Sequence, residues 1–564
     1  MPRIRLFSAL FILAALSIPL ATLVVAQRSA IDTYAITNAR IVPVSGPVIE
    51  RGTIVIRDGL IVSVGDKITP PADARIIDGT GLNVYPGLFD TNTNLGLPAP
   101  SPVPSPTGGP GGFLQAQLRA ATTPPAPGPN STQPPGLQPE VMIEDTIKPG
   151  GNEIENARNN GITTAVSAPR SGIWMGQSAL INLSGETSQQ MIVRSPLAMH
   201  VGFTPLRNGG YPGSLMGVFA SLRQMLLDAQ RYQKLQEAYE RSPRGMRRPD
   251  IDRSLAALVP VLEGKLPVIM YADRQREIER ALDLAQEFKL RAIIAGGQEA
   301  AEVAKELRDQ NVPVLLSLNF PRRTTSASPD ADPETMRTLR SRVDALKTAA
   351  KLSGAKVRFA FQSGGLTNMS DYRANAAKAI ENGLAADEAL RAMTLRAAEI
   401  LGVSDRLGSI ETGKIANLTL IRGDLFDRNA RVTNVFVDGK PIEIRATPAP
   451  AAGTGTAAAA ETRITMAGNW TINVDVQGQL ITGTLTVRQE GGSLSGSMQT
   501  QVGSSEFSGG TLTGNAFHIV TTMSIQGQSV QLTINGTIEG NSLSGTVASP
   551  FGTQTLTGTR QPGN

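Results

Sequence analysis

Any chemistry in this chain must be done without cysteine and with two histidines, His200 and His518, among 564 residues. The lack of cysteine removes disulfides, thiolate metal ligands and a cysteine nucleophile. Of the remaining groups, Asp90, Asn92 and Asn94 alternate along Asp90-Thr91-Asn92-Thr93-Asn94. They offer oxygen donors of the kind a hard cation such as calcium or magnesium takes. The simpler reading is a strand end whose polar side chains bond to their neighbours. Tyr271 and Asp273 follow an apolar run and could form an acid/base pair or only fill space. His200 stands at the end of an expected strand, Ser195 to Met199, either facing a pocket or serving structure; one imidazole cannot build a metal centre. His518 alternates with Phe517 and Ile519 and is expected to face solvent. Gly172 to Ala179 reads as a glycine-bounded loop, with Trp174 and Gln177 either as pocket walls or as loop packing.

The elements that must position these residues fall into three styles. From Tyr34 to Ile77, short runs alternate apolar and polar, with the hairpin turn Asp58-Gly59 between two of them, which implies a small antiparallel sheet. Pro98 to Pro139 is packed with Pro, Gly, Ser and Thr and reads as a long insertion. Beyond it strands and helices alternate: helix Glu153 to Asn160, strand Thr163 to Val166, helix Leu215 to Ser242, strand Pro267 to Tyr271, helix Arg274 to Phe288, strand Ala292 to Ile294, and strands Val312 to Leu318 and Val357 to Phe361. That alternation implies a parallel sheet with helices outside it, closed into a barrel. Leu418 to Ile421 and Val432 to Val437 return to the hairpin style, so the two ends are expected to pair. After an Ala/Pro/Gly/Thr linker at 446–462, residues 463–562 are Gly-, Ser- and Thr-rich with turns at Gly514-Asn515 and Gly540-Asn541, an all-β unit expected to close into a small barrel.

A 40% hydrophobic content supports large cores and 18% charge is too low for a disordered chain. The net charge of +5 is spread along the chain, with no basic tract interleaved with aromatics, which argues against a nucleic-acid partner. Arg3 and Arg5 precede the apolar Leu6 to Val25, and Val24-Val25-Ala26 supplies small residues before Gln27. This is the pattern of a cleaved export signal over 1–26, placing the mature chain in the periplasm or outside the cell. An uncleaved membrane anchor is the alternative, since the apolar run is about long enough to span a bilayer. No second segment has that character.

Three stretches carry a family resemblance. Tyr85-Pro86-Gly87-Leu88-Phe89-Asp90, Asn159-Asn160-Gly161-Ile162-Thr163-Thr164 and Leu407-Gly408-Ser409-Ile410-Glu411-Thr412-Gly413-Lys414-Ile415-Ala416-Asn417-Leu418 resemble the amidohydrolase superfamily, in particular its imidazolonepropionase-like branch. The resemblance implies a TIM-like (β/α)8 barrel over 86–405, a composite β-sandwich built from 33–85 and 406–445, and hydrolysis of amide-like C–N bonds by water on zinc or another divalent metal. The ligands the resemblance calls for are missing. Asn92 and Asn94 stand where two imidazoles are expected, Tyr271 and Gly296 where two more are, and Gly364 near the expected aspartate. No histidine lies between His200 and His518, and no Asp or Glu between Lys356 and Ser370, so no shift of alignment restores the set. The expectation is therefore no metal cofactor and a pseudoenzyme that binds a small molecule or partners an intact amidohydrolase homologue or itself. The alternative is a hydrolase using an atypical site of Asp90, Tyr271, Asp273 and His200.

Overall fold

The structure, a computed structural model, describes residues 33–98, 133–206, 211–321, 334–366, 368–444, 465–476, 479–501, 503–525, 528–549 and 552–561. The export signal, positions 99–132 of the Pro-rich stretch and the linker at 446–462 lie outside these residues.

The N-terminal flank supplies β1 (Thr33–Ile41), β2 (Ile49–Arg57), β3 (Leu60–Gly65), β4 (Arg75–Asp78) and β5 (Asn83–Pro86). The barrel region follows with β6 (Leu88–Thr93), β7 (Ile162–Ser167), β8 (Trp174–Gln177), β9 (Ala179–Asn182), β10 (Ile192–Arg194), β11 (Met199–Gly202), β12 (Val268–Ala272), β13 (Ala292–Gly296), β14 (Val314–Ser317) and β15 (Phe359–Gln362). The C-terminal flank returns with β16 (Leu418–Arg422), β17 (Arg431–Val437) and β18 (Lys440–Glu443).

Both flanks join one eight-stranded sheet, ordered β18-β17-β16-β5-β1-β2-β3 with β4 on β1. The junction is the antiparallel pairing of β16 with β5, Leu418 opposite Pro86 through Ile421 opposite Asn83. The sheet curls so that its far hairpins meet: Ala416 donates to the Gly59 carbonyl at 2.8 Å and accepts from the Gly439 N–H at 3.1 Å. Ile36, Ile54, Ile56, Leu418, Leu420 and Phe436 fill the space between. A polar joint fastens this sheet to the barrel. Asn417 Nδ2 donates to Thr164 Oγ1 at 3.0 Å and to Asn182 Oδ1 at 2.8 Å, and its Oδ1 accepts from the Asp438 N–H at 2.8 Å. Asn417→Ala would leave these partners unpaired at a largely buried joint, at a cost of about 2 kcal/mol. The expected result is a lower urea midpoint at unchanged slope; an unmoved midpoint would contradict it.

In the barrel, β11 to β15 run parallel in sequence order, and β6 runs parallel to β7. Residues 172–179 are not the loop expected from their glycines. They form β8, antiparallel to β11, and lead into β9, antiparallel to β7, bridging the two halves. His200 is likewise not at a strand end. Its strand runs from Met199, where pairing with β12 begins, and His200 pairs with Ile269 inside it. Alternation sorts the side chains. Val268, Met270, Ile294, Val314, Leu316 and Phe361 pack in the large cluster shared with the helices. Ile269, Ile293, Ala295, Leu315 and Ala360 form a second, inner cluster.

The seam between β6 and β15 is laced by side chains. Thr91 Oγ1 donates to the Phe361 carbonyl at 2.9 Å, Asn92 Nδ2 to Gln362 Oε1 at 2.7 Å, and the Ser363 N–H to Asp90 Oδ1 at 2.9 Å. The Tyr372 hydroxyl reaches both the Phe89 carbonyl, at 2.7 Å, and that of Phe361, at 3.1 Å.

The C-terminal strands β19 (Gly468–Val476), β20 (Gln479–Glu490), β21 (Ser493–Thr500), β22 (Gly503–Thr513), β23 (Ala516–Ile525), β24 (Gln528–Glu539), β25 (Ser542–Ser549) and β26 (Gly552–Arg560) form a closed barrel. Trp470, Leu485, Phe507, Phe517, Ile534 and Leu556 are among its buried core. Arg560 lies over the Trp470 ring, 4.7 Å from its centroid. His518 is exposed and bonds to Asn535 Oδ1 at 2.6 Å.

Candidate functional site

The ends of β12 to β15 open on a cavity of about 780 Å³. Its polar side is made by Asn92, Tyr271, Ser317, Asn319 and Gln362, each on or just past a strand end. Met175, Phe203 and Leu215 form an apolar wall, and Asp273, Glu277 and Arg280 also line it.

A directed chain of hydrogen bonds runs beneath the polar side. The single Tyr271 hydroxyl proton goes to Asn92 Oδ1 at 2.9 Å, so at 3.0 Å the phenol oxygen must accept from His200 Nδ1–H. That fixes the tautomer and leaves His200 Nε2, fully buried, without a partner. Burial pushes the His200 imidazole down to about 3 and the Tyr271 phenol well above its ordinary value. Gln362, holding Asn92 through its Oε1, donates through Nε2 to the Leu315 carbonyl at 2.6 Å.

Asp90 is fully buried and is not part of the cavity wall. Burial pushes its carboxyl up to about 6, against the opposing hydrogen bonds from Ser363 and the Asn92 N–H, and its Oδ2 has no partner. Asp273 lines the cavity from an exposed position. Desolvation raises its carboxyl, with smaller contributions from Glu277 and Glu299, while the Gln298 N–H opposes them.

These placements correct several expectations. Asp90, Asn92 and Asn94 do not converge on one ion: Asp90 is held by Ser363, the Asn92 amide by Tyr271 and Gln362, and Asn94 is exposed. Tyr271 and Asp273 share the cavity wall, but the Tyr271 hydroxyl is committed to Asn92. Trp174 and Gln177 are not its walls. Trp174 is buried in the main core, Gln177 donates to the Pro139 carbonyl at 3.1 Å, and it is Met175, the intervening strand residue, that reaches the cavity.

The donor set does not fit a divalent metal of the zinc type. No group of three His, Cys, Asp or Glu side chains able to share an ion occurs among the described residues. Gly296 and Gly364 have left-handed φ values of 101° and 62°, and a Cβ on either would strike the Asp273 carboxylate or Ser317 Oγ. Both positions are shaped for glycine rather than for a ligand side chain.

Sequence reading missed Ser317, Asn319, Gln362, Met175, Phe203 and Leu215 as cavity residues. Position at the C-terminal ends of parallel strands was the available signal for Ser317 and Gln362.

Among known proteins, the amidohydrolase family profile matches residues 278–442. An amidohydrolase from Thermotoga maritima superposes with a TM-score of 0.60 at 25% identity, over 73% of this chain and 100% of that one. The chain belongs to the amidohydrolase superfamily. That membership makes the strands between the flanks a TIM-type barrel domain. The enamidase of Eubacterium barkeri is 41% identical over 54 residues, 9% of this superfamily member and 14% of the enamidase's own length. A Xaa-Pro dipeptidase with bound methionine, at 15% identity over 73% of this chain and 100% of its own, has a TM-score of 0.44, too low to carry any argument. No described helix is long and apolar enough to cross a membrane.

Proposed function

We propose that this chain is an exported amidohydrolase-superfamily protein that binds at its barrel mouth without hydrolysing there, as a binding protein or as the partner of an intact homologue or of a second copy. In this reading the barrel occupies 86–405, the flanks 33–85 and 406–445 make a composite β-sandwich, and the C-terminal unit at 463–562 is a separate domain. Export rests on Arg3, Arg5 and the apolar Leu6 to Val25. One observation carries the loss of hydrolysis: of the positions expected to grip a metal, Asn92 and Tyr271 are hydrogen-bonded to each other, Asn94 is exposed, and Gly296 and Gly364 have no room for a side chain.

The competing reading is C–N bond hydrolysis, the chemistry that the names amidohydrolase and enamidase suggest, through Asp90, Tyr271, Asp273 and His200. Against it, Asp90 and His200 are wholly buried, and Asp90 is engaged at the seam. Elemental analysis of the purified chain, with turnover assays on amides, lactams and dipeptides, decides between the two. The expected result is far less than one transition metal per chain and no metal-dependent product. A tightly held ion together with turnover abolished by Asp273→Ala would overturn the proposal.

A further inference from the structure

We infer that the barrel-mouth cavity binds an uncharged, hydroxyl-rich small molecule of carbohydrate type, its ring faces against the apolar wall and its hydroxyls on the polar side; this rests on the non-hydrolytic reading above. A volume of about 780 Å³ falls in the range that takes a small organic ligand. The polar side, Asn92, Tyr271, Ser317, Asn319 and Gln362, carries no charge, and burial keeps the Tyr271 phenol neutral. A phosphate or carboxylate seated against these five residues would shed its water with no cation among them, which is costly; the cation lining the cavity, Arg280, is exposed.

What the polar side can still offer follows from its internal bonds. Asn92 Nδ2 gives one hydrogen to Gln362 and keeps the other. Ser317 Oγ accepts from the Asn319 N–H at 3.1 Å and retains its own proton to donate. Asn319 Nδ2 donates to the Gly364 carbonyl at 3.1 Å, which leaves its Oδ1 as an acceptor. Donors and an acceptor are thus presented together. A single amide brings one donor and one acceptor, whereas neighbouring hydroxyls each bring both and satisfy such a mixed surface.

The other sides fit the same ligand. Met175, Phe203 and Leu215 offer the apolar contact that the C–H faces of a sugar ring need. Glu277 is occupied in capping, accepting from the N–H groups of Asp273 and Arg274 at 3.1 Å. Asp273 and Arg280 remain as charged groups of opposite sign lining the cavity, able to receive and give hydrogen bonds to paired hydroxyls.

The test is calorimetry and saturation-transfer NMR on the full mature chain. Maltose, cellobiose and N,N′-diacetylchitobiose are the probes, and N-acetylalanine methylamide and inorganic phosphate the counter-probes. At least one disaccharide should bind saturably, one per chain, while the counter-probes do not. Asn319→Leu, which removes a polar contact, and Leu215→Trp, which fills the cavity from a partly exposed helix start, should each weaken that binding by about tenfold or more. Leu215→Trp keeps the test decisive should Asn319→Leu fold poorly. Failure of all three disaccharides, preference for the amide or phosphate, or binding that survives both variants would overturn the inference. Failure of the non-hydrolytic reading would look different, as metal-dependent cleavage of the amide counter-probe whatever the sugars do.

Discussion

Taking the protein from pH 6.5 to pH 3 will cost the fold about 4 kcal/mol through His200 alone. The imidazole is fully buried, its Nδ1–H is given to Tyr271, and its Nε2 has no acceptor ready for a second proton. Burial therefore drives its pKa from 6.5 to about 3. In that window the unfolded chain takes up a proton at this histidine that the folded chain refuses, so stability falls as the pH falls, by about 1.4 kcal/mol per unit. His200→Gln retains an N–H for the Tyr271 oxygen and has nothing to titrate. Urea unfolding at pH 7.5 and pH 4 should show most of this acid dependence disappearing in His200→Gln and persisting in His518→Gln, whose side chain is exposed. Equal acid dependence in wild type and His200→Gln would refute the argument.

Asp90 acts in the opposite direction. Its folded pKa, about 6, lies above the ordinary 3.8, so between those values the folded chain holds a proton that the unfolded chain has lost. Stability from this group is full at low pH and is lost as the pH rises through 6, by up to about 3 kcal/mol. Asp90→Asn keeps an oxygen for the Ser363 N–H and has no charge to bury. It is expected to raise the unfolding free energy at pH 7.5 by about 1–3 kcal/mol and to change it little at pH 3.8. The same variant probes function, since a catalytic or metal-binding carboxylate would lose activity on becoming an amide. A less stable Asp90→Asn protein at pH 7.5 would show that the ionised carboxylate serves the fold or the site in a way its contacts do not reveal.

Much of the fold was legible because it rests on local pattern. The hairpin alternation of Tyr34 to Val64, the strand-helix rhythm from Thr163 onward and the Gly/Ser/Thr strands after residue 463 each appear as strands and helices close to the expected bounds. Two failures share one cause. The glycines of 172–179 resembled a loop, and Ser195 to Met199 resembled a strand ending at His200. In each case pairing with a neighbour distant in sequence, β11 for β8 and β12 for His200, set the outcome. Local composition carries no record of such a partner.

Residue identity alone determined that asparagine, tyrosine and glycine stand where the family resemblance leads one to expect imidazoles and an aspartate, because no fold can make a ligand from a side chain the chain does not contain. Only the tertiary structure decided what became of those positions. It joins His200, Tyr271, Asn92 and Gln362 into one directed hydrogen-bonded chain, ties Asp90 into the barrel seam and brings Met175, Phe203 and Leu215 to the cavity. A hydrogen bond depends on distances between atoms far apart along the chain, and burial depends on everything packed around them. Neither exists until the barrel has closed.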